Sequence, residues 1–293
     1  MRHLKGPPDP RNLSHVSSSP IGRDAAARLM APLTALVARA GSAILKVDRK
    51  AMQIDGKTDG SPVTEADLAA DRVIAEGLKQ LAPDIPALSE ERASPLGGCP
   101  DAFFLIDPLD GTKEFIAGRD EFTVNIALVV RGTPLLGIIG APALGLIWRG
   151  LAAEGKGQGA ERLAIHQGND QDPETGAAQA IRTRRFPPQG EAWVAATSRS
   201  HGDAASEAFI DARPGAVRLK LGSAVKLAKV AEGKVDIYPR LAPTSEWDIA
   251  AGHAIVTAAG GRVTDTAGRV LRFGKGGDFI VPAFIAWGDP DAS

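Results

Sequence analysis

The stretch FFLIDPLDGTKEF, residues 103–115, carries the densest pattern in the chain. Its apolar half predicts a buried strand that ends at Asp107, because a short apolar run bounded by turn residues is typical of a strand. The proline and glycine that follow favour a tight turn, which would bring Asp110 and Thr112 close to Asp107. Carboxylates presented on one turn suit Mg²⁺, a hard cation that takes oxygen ligands. Taken alone, an ordinary Asp-Gly turn with a capping aspartate explains the pattern equally well.

Helices and short strands alternate around this stretch. Apolar residues at helical spacing predict a helix over 23–47, and a second helix is predicted after Pro62, with Thr64 as its N-cap and Asp67 three residues later. Further strands are predicted at 87–89, 122–130, 135–139, 193–197, 235–238 and 262–264, and further helices at 203–212, 223–232 and 247–259. The pattern therefore indicates a mixed α/β fold.

A polar segment at 168–190 predicts a domain boundary, because linkers are commonly rich in polar residues, proline and glycine. We expect an α+β half at 23–189, which contains the acidic turn, and an α/β half at 190–293. Residues 1–22 are rich in proline, serine and charge, and we expect them to form a loose N-terminal leader.

Three more acidic residues lie where a strand ends or a helix begins. Glu90 follows the predicted strand at 87–89, and Asp67 and Asp248 lie in the first turns of predicted helices. Each has an ordinary alternative. Adjacent glutamates usually form a solvated face, and an acidic residue in a first turn complements the helix dipole or completes a capping box. If these carboxylates converge, they will repel one another unless bound cations neutralise them.

Composition excludes several classes of function. The chain has 293 residues with 34 Lys+Arg, 35 Asp+Glu and a formal net charge of -1, so nucleic acid is not an expected partner. The single cysteine, Cys99, excludes an internal disulfide and fits a reducing, cytoplasmic compartment. We expect no integral membrane contact, because no apolar run approaches the roughly 20 residues of a membrane-spanning helix. Peripheral contact with the inner face of the membrane stays an alternative.

Four segments of the chain resemble a known family. They are DGSPVTEAD (59–67), LSEE (88–91), DPLDGTKEF (107–115) and EWDIAAGHAIVTAAGG (246–261). In this order they resemble the inositol monophosphatase superfamily of metal-dependent, lithium-sensitive phosphatases. The resemblance runs from about residue 25 to the C-terminus.

Further segments resemble one branch of that superfamily, the 3'(2'),5'-bisphosphate nucleotidases. Lys113-Glu114-Phe115 follows the DGT motif, where inositol monophosphatases typically have Asn-Phe. The segments SRSH (198–201), GSAVKLAKVAEGKVDIYPR (222–240) and APTSEWD (242–248) are also similar to that branch. Ala224 departs from its pattern, because relatives often carry a second small hydroxyl residue there.

The resemblance implies a role for each residue that matches a family motif. The implied metal ligands are Glu90, Asp107, Asp110, Asp248 and the backbone carbonyl of Leu109. Asp67 and Thr112 are implied to orient and deprotonate the attacking water, with Glu90 beside them in the catalytic group.

The resemblance also implies contacts with the substrate. Gly111 and Thr112 would contact the phosphate that is cleaved. The implied contacts with the nucleoside and its second phosphate are His201, Ser223, Lys226 and Arg240, and Asp248 is also expected to contact the substrate. For Lys226 and Arg240, ordinary surface charge is the alternative.

The fold that the resemblance implies is the layered αβαβα sandwich of the sugar phosphatases, with the site between two halves. The implied enzyme uses two or three Mg²⁺ ions to hydrolyse the 3'-phosphate of adenosine 3',5'-bisphosphate, giving AMP and phosphate, in sulfate assimilation or nucleotide recycling. A second implied substrate is 3'-phosphoadenylyl sulfate. Two alternatives stay open: a phosphatase of inositol monophosphate or fructose 1,6-bisphosphate, and a non-catalytic binder of phosphorylated ligands.

Overall fold

The computed structural model describes residues 21–56, 62–92, 100–153, 156–166, 172–188, 190–275 and 277–292. Most of the predicted leader, Cys99 and the first residues of the DGSPVTEAD segment lie outside the described residues.

Within these ranges the α-helices are α1 (Arg23–Leu45), α2 (Glu65–Leu81), α3 (Thr112–Ile116), α4 (Ala204–Asp211), α5 (Val225–Ala231) and α6 (Glu246–Ala258). The strands are β1 (Ile54–Gly56), β2 (Pro62–Thr64), β3 (Ala87–Ser89), β4 (Ala102–Asp110), β5 (Thr123–Val130), β6 (Thr133–Ala141), β7 (Leu146–Ala153), β8 (Lys156–His166), β9 (Glu174–Thr175), β10 (Gln179–Ile181), β11 (Trp193–Ser198), β12 (Ala216–Leu221), β13 (Ile237–Arg240), β14 (Thr244–Ser245), β15 (Arg262–Asp265), β16 (Ile280–Val281) and β17 (Phe284–Trp287). Single turns of 3₁₀-helix lie at Glu90–Arg92 and Pro142–Leu144.

Each predicted helix and strand is present, with ends that agree to within about three residues. The sequence did not predict several further strands, β7, β8, β12 and β17 among them, and for β12 the reason is physical. Val217 and Leu219 are 52% and 37% exposed, and the residues between and after them are exposed as well. β12 is the edge strand of its sheet, so neither face has the burial that produces a clear alternating pattern.

The first sheet has eight strands in the order β10-β8-β7-β6-β5-β4-β3, with β9 paired to β8. Strands β4 to β8 form an antiparallel meander, whereas β3 runs parallel to β4. β4 pairs Asp107 with Asn125 and Asp110 with Thr123 of β5, and the register shifts between the two aspartates. Such an irregularity redirects side chains at the end of a strand, which is where the acidic turn lies.

The second sheet has five strands in the order β12-β11-β13-β17-β15. β11 is parallel to β12 and β13, and β17 is antiparallel to β13 and β15. The two sheets divide between residues 181 and 193, near the end of the polar segment that was predicted as a boundary. The division of the chain into two domains stays a prediction.

Helices and sheets stack in five layers. α1 and α2 cover one face of the first sheet, α5 and α6 lie between the two sheets, and α4 covers the outer face of the second sheet. A Cβ on Gly137 of β6 would lie 2.1 Å from the Ala251 carbonyl oxygen, so glycine is what allows α6 to approach the sheet so closely. The predicted αβαβα sandwich is confirmed.

α1 bears on the expectation of no integral membrane contact. By length and composition it is long and apolar enough to cross a membrane, with a mean hydropathy of 1.2 over its best window. Core helices of soluble proteins pass the same test, and Leu33, Leu36 and Ile44 of α1 are fully buried against α2 and the first sheet. α1 therefore packs as a core helix of the fold.

Candidate active site

The acidic residues singled out by the sequence lie at one edge of the first sheet. β3 and β4 are parallel, so their carboxyl ends meet at the same edge. Glu90 follows β3 directly, and Asp107 and Asp110 lie at the end of β4. Asp248 lies in the first turn of α6, which packs against β4. The fold thus brings together acidic residues that are far apart in the sequence.

Asp107, Asp110 and Asp248 form a compact carboxylate cluster. One oxygen from each side chain lies within 4.8 Å of the others. Glu90 is not one of these three, but it lines the same cleft, and its charge acts on both Asp107 and Asp248.

Burial and repulsion raise the pKa values of the cluster. Burial raises the pKa of Asp107 well above its ordinary value, and the neighbouring carboxylates, Glu90 first among them, raise it further. Burial, followed by the charge of Asp248, raises the pKa of Asp110 to about 7. Burial also raises the pKa of Asp248 to about 6. The cluster therefore favours a bound cation, because a cation compensates both the repulsion and the lost hydration.

Hydrogen bonds fix the orientation of each carboxylate in the cluster. Oδ2 of Asp110 accepts from the Ala224 N–H at 2.6 Å, and from Thr123 Oγ1 and Asn125 Nδ2 at 3.4 Å each. Asp248 Oδ2 accepts from Thr244 Oγ1 at 2.7 Å. Asp107 Oδ1 accepts from the Leu109 N–H at 3.0 Å. The three carboxylates are thus held in place by hydrogen bonds within the described part of the chain.

Asp67 lies at the start of α2 and contacts Thr112. Thr112 Oγ1 donates to Asp67 Oδ1 at 3.0 Å and also lies 3.2 Å from the Leu109 carbonyl oxygen. The other oxygen of Asp67 accepts from Thr64 N and Thr64 Oγ1 at 2.8 and 2.6 Å. This capping box confirms Thr64 as the N-cap of α2 and fixes the buried Asp67 carboxylate beside Thr112.

Gly111 places Thr112 at the first position of α3. Its φ of +92° lies in the left-handed region, and a Cβ there would lie 3.2 Å from the Glu121 carbonyl oxygen. Both observations favour glycine at this turn, the positive φ most strongly.

Basic side chains line the same cleft, which has a volume of about 350 Å³. Lys226 Nζ donates to the Ser223 carbonyl oxygen at 2.7 Å, and burial lowers the pKa of Lys226 to about 8. The Arg240 guanidinium donates to the His201 carbonyl oxygen, and Lys113 Nζ lies 3.1 Å from His201 Nε2. Burial, and then the charges of Lys113 and Arg240, lower the pKa of His201, so its neutral ring can accept from the Lys113 ammonium.

Ser223 has an unusual conformation for a residue with a side chain. Its φ of +41° lies in the left-handed region, and its buried hydroxyl has no hydrogen-bond partner among the described residues. Strained backbone and an unsatisfied buried hydroxyl on the wall of a cleft are typical of a ligand-binding position.

The sequence reasoning missed several residues that line the cleft or contact its carboxylates. It used Lys113 only as a family marker and gave no role to Asn125, although a polar residue inside the apolar run of β5 is a detectable signal. It also missed an apolar part of the cleft wall formed by Trp247 and Ile280. Ile280 comes from the C-terminal part of the chain, where the short strand β16 pairs with β14, and no sequence pattern indicated that pairing.

The residues of the carboxylate cluster fit Mg²⁺. Every donor in the cluster is an oxygen, which a hard divalent cation prefers. Lys226 lowers the pKa of Asp110, but burial and the neighbouring carboxylates outweigh it, so the positive charge of Lys226 compensates the cluster only in part.

Comparison with known proteins identifies the family. The model of the inositol monophosphatase family matches residues 26–289. The chain is 41% identical to the 3'(2'),5'-bisphosphate nucleotidase CysQ of Shigella flexneri over 255 residues, which cover 85% of this chain and 95% of that protein. It is 42% identical to the CysQ nucleotidase of Salmonella typhimurium over 253 residues, with the same coverage of 85% and 95%.

Solved structures show the same likeness. The crystal structure of CysQ from Bacteroides thetaiotaomicron, a bacterial member of the inositol monophosphatase family, has a TM-score of 0.72 and 33% identity, and the match covers 89% of this chain and 98% of that one. An inositol monophosphatase from Thermotoga maritima has a TM-score of 0.64 and 26% identity, with coverage of 90% and 93%. The matched sequence segments, the fold and the acidic cleft agree, and the chain belongs to the inositol monophosphatase family of magnesium-dependent phosphatases.

Proposed function

We propose that this chain is a 3'(2'),5'-bisphosphate nucleotidase that removes the 3'-phosphate of adenosine 3',5'-bisphosphate and gives AMP and phosphate. The observation that carries the proposal is that one cleft holds both an acidic cluster and a group of basic side chains. The acidic cluster suits the cations that a phosphatase needs, and the basic side chains suit a second phosphate on the substrate. A volume of about 350 Å³ lies within the range of small-molecule sites.

The residues proposed to hold two or three Mg²⁺ ions are Glu90, Asp107, Asp110, Asp248 and the carbonyl of Leu109. When bound, the ions supply Lewis-acid stabilisation of the charge that develops on the phosphate oxygens. The protein contributes carboxylates that are already oriented, so little rearrangement accompanies binding.

Asp67 and Thr112 are proposed to activate the attacking water. When the Thr112 hydroxyl donates its single proton to Asp67 rather than to the Leu109 carbonyl, an oxygen lone pair can accept a hydrogen bond from water. As water attacks phosphorus, Thr112 accepts its proton and passes its own proton to Asp67. Gly111 and Thr112, at the start of α3, are proposed to contact the phosphate being cleaved.

Lys226, Arg240, His201 and Ser223 are proposed to bind the nucleoside and its second phosphate. A phosphate would satisfy the Ser223 hydroxyl and compensate the closely spaced charges of Lys113, Lys226 and Arg240. The same cleft supports 3'-phosphoadenylyl sulfate as a second substrate, and Asp248 is proposed to contact the substrate as well. We place the enzyme in the cytoplasm, in sulfate assimilation or nucleotide recycling, whereas the relatives give no support for a peripheral membrane position.

Parallel assays of phosphate release test this function. The substrates are adenosine 3',5'-bisphosphate, inositol 1-phosphate and fructose 1,6-bisphosphate, each with and without Mg²⁺. We expect kcat/KM for the nucleotide to exceed the others at least about tenfold, which corresponds to roughly 1.4 kcal/mol of discrimination. Preference for one of the sugar phosphates would assign that compound as the substrate instead. If no phosphate were released from any of the three compounds, the chain would be a non-catalytic binder.

A further inference from the structure

Asp71 lies one helical turn after Asp67 on α2 and has no role in the proposed reaction. It is 6% exposed. Its Oδ1 accepts from Ser89 Oγ at 2.6 Å and from Arg92 Nη2 at 3.0 Å, and its Oδ2 accepts from Arg92 Nε at 2.6 Å. Ser89 directly precedes Glu90, and Arg92 lies two residues after it. Asp71 therefore holds the chain on both sides of Glu90.

The backbone around Glu90 has little regular structure of its own. β3 is a strand of three residues at the edge of the first sheet, and Glu90–Arg92 is a single 3₁₀ turn. Short 3₁₀ turns have weaker hydrogen-bond geometry than α-helices, so side-chain contacts contribute more to their position. The bidentate contact between the Arg92 guanidinium and the buried Asp71 carboxylate is both strong and directional.

The same helix also holds Asp67 against Thr112. One face of α2 thus presents two carboxylates, of which Asp67 contacts the turn after β4 and Asp71 contacts the turn after β3. Because β3 and β4 end at the same edge of the sheet, α2 sets the spacing of these two turns.

We infer that Asp71 is a positioning residue that fixes Glu90 at the carboxylate cluster through Ser89 and Arg92, and so sets the affinity of the site for Mg²⁺. This inference rests on the proposed role of Glu90 as a metal ligand. Groups that orient metal ligands typically change metal affinity about 10- to 100-fold when they are removed.

Two variants distinguish a positioning role of Asp71 from a direct effect of its charge on Mg²⁺ binding. Asp71→Asn removes a negative charge, and Arg92→Gln removes a positive charge from a side chain that is 48% exposed. If only charge matters, the two variants have opposite effects, because loss of the Asp71 carboxylate weakens Mg²⁺ binding and loss of the Arg92 guanidinium strengthens it. Positioning predicts that both variants bind Mg²⁺ more weakly. The control is Asp84→Asn, which removes one negative charge from an exposed turn after α2.

The dissociation constant for Mg²⁺ is measured by isothermal titration calorimetry on the full chain, beside kcat and the Mg²⁺ activation constant for adenosine 3',5'-bisphosphate. We expect the dissociation constant to rise about tenfold in Asp71→Asn and several-fold in Arg92→Gln, with kcat at saturating Mg²⁺ within about twofold of wild type. The double variant should bind Mg²⁺ no more weakly than Asp71→Asn alone, because both residues act through one contact.

Tighter Mg²⁺ binding by Arg92→Gln, or unchanged affinity in both single variants, would overturn the inference. Arg92→Gln also keeps the test valid if Asp71→Asn fails to fold, because its side chain is half exposed. Failure of the proposed function looks different: wild-type protein would then prefer a sugar phosphate or release no phosphate from any of the three substrates, whereas the inference about Asp71 is tested by the Mg²⁺ dissociation constants of the variants.

Discussion

The backbone N–H of Ala224 donates to Oδ2 of Asp110 at 2.6 Å, so the start of α5 holds a carboxylate at the end of β4. A second contact lies nearby, where the Glu121 carboxylate accepts from Arg199 Nε and from the Gly222 N–H at 2.8 Å each. Both contacts join the first sheet to segments that lead into or out of the second sheet. The contact to Asp110 uses the backbone of Ala224, so alanine in place of a hydroxyl residue preserves it.

Replacing Asp107 by Asn should remove phosphatase activity without destabilising the fold. The neutral amide keeps the side-chain shape. It avoids the burial of a charge, which is the main cause of the raised pKa of Asp107, and it relieves the repulsion from Glu90, Asp110 and Asp248, which raises that pKa further. We expect activity below about one per cent and a metal-free melting temperature equal to or above that of wild type. Phosphate release and thermal unfolding measure the two effects.

The matched control for that variant is Asp101→Asn, an exposed aspartate just before the same strand. It should behave as wild type in both measurements. If Asp107→Asn retained more than a few per cent of activity, the assignment of this carboxylate as a metal ligand would be wrong.

Replacing Lys226 by Ala should discriminate between substrates with one and two phosphates. Charge-assisted hydrogen bonds contribute about 1.5–3 kcal/mol, so KM for adenosine 3',5'-bisphosphate should rise about tenfold or more. KM for 3'-AMP, which lacks the second phosphate, should change less than about threefold. Steady-state kinetics on both substrates measure the ratio, with the exposed Lys220→Ala on β12 as the control. Equal effects on both substrates would refute contact between Lys226 and the second phosphate.

Mg²⁺ should stabilise the folded protein, because a cation compensates repulsion among the clustered carboxylates. At 100 times the dissociation constant, a ligand of the folded state adds about 2.7 kcal/mol, which corresponds to roughly 5–10 °C in melting temperature for a chain of this size. Thermal scans with MgCl₂ are compared with KCl of equal ionic strength to separate binding from screening. A shift of the same size in both salts, or a full shift in Asp107→Asn, would contradict specific binding.

His253 should make stability fall between pH 7.5 and pH 5. Burial lowers its pKa to about 4, and the ring packs edge-on against Phe273 with a centroid distance of 5.6 Å. In the unfolded chain this histidine binds a proton near its ordinary pKa of 6.5, so the unfolded chain takes up protons at a higher pH than the folded chain. Above pH 6.5 the histidine is neutral in both states and does not lower the free energy of unfolding. As the pH falls from 6.5 towards 4, protonation of the unfolded chain lowers that free energy, by about 2 kcal/mol at pH 5.

Urea unfolding of wild type and His253→Leu at pH 7.5 and pH 5 tests this linkage. The carboxylate cluster titrates in both proteins, so the difference between them isolates His253. The loss of stability on acidification should be smaller in the variant by about 2 kcal/mol. An identical loss in both proteins would mean that this histidine does not control the acid side of the stability curve.

Local chemistry made much of the fold predictable. The N-cap at Thr64 is set by hydroxyl and carboxylate groups three residues apart, and β3 has the predicted ends because its apolar run is bounded by turn residues. The extent of β4 was less predictable. Its pairing with β5 continues past Pro108 to Asp110 through a register shift, and that shift depends on a neighbouring strand rather than on local sequence.

The candidate site also has features that the local sequence predicts and features that depend on tertiary packing. The motif residues Asp107, Asp110 and Thr112 are close in the sequence, at the end of β4 and the start of α3, so their proximity follows largely from the local chain. The convergence of Asp248 on them depends on how α6 packs against the first sheet, and only the family resemblance anticipated it. Contacts made by backbone groups, such as that from Ala224, leave no signature in residue type and could not be predicted.

The Asp67 carboxylate has a consequence for how this protein can evolve. One of its oxygens begins α2 through Thr64, and the other accepts from Thr112. Selection for folding and selection for turnover therefore act on the same side chain. Replacing Asp67 would weaken both the start of α2 and the contact with Thr112. A variant at this position could therefore not lose activity and gain stability in return. Divergence of specificity within the lineage would instead have to pass through the basic side of the cleft, where Arg240 and His201, two of the proposed ligand contacts, lie outside the helices.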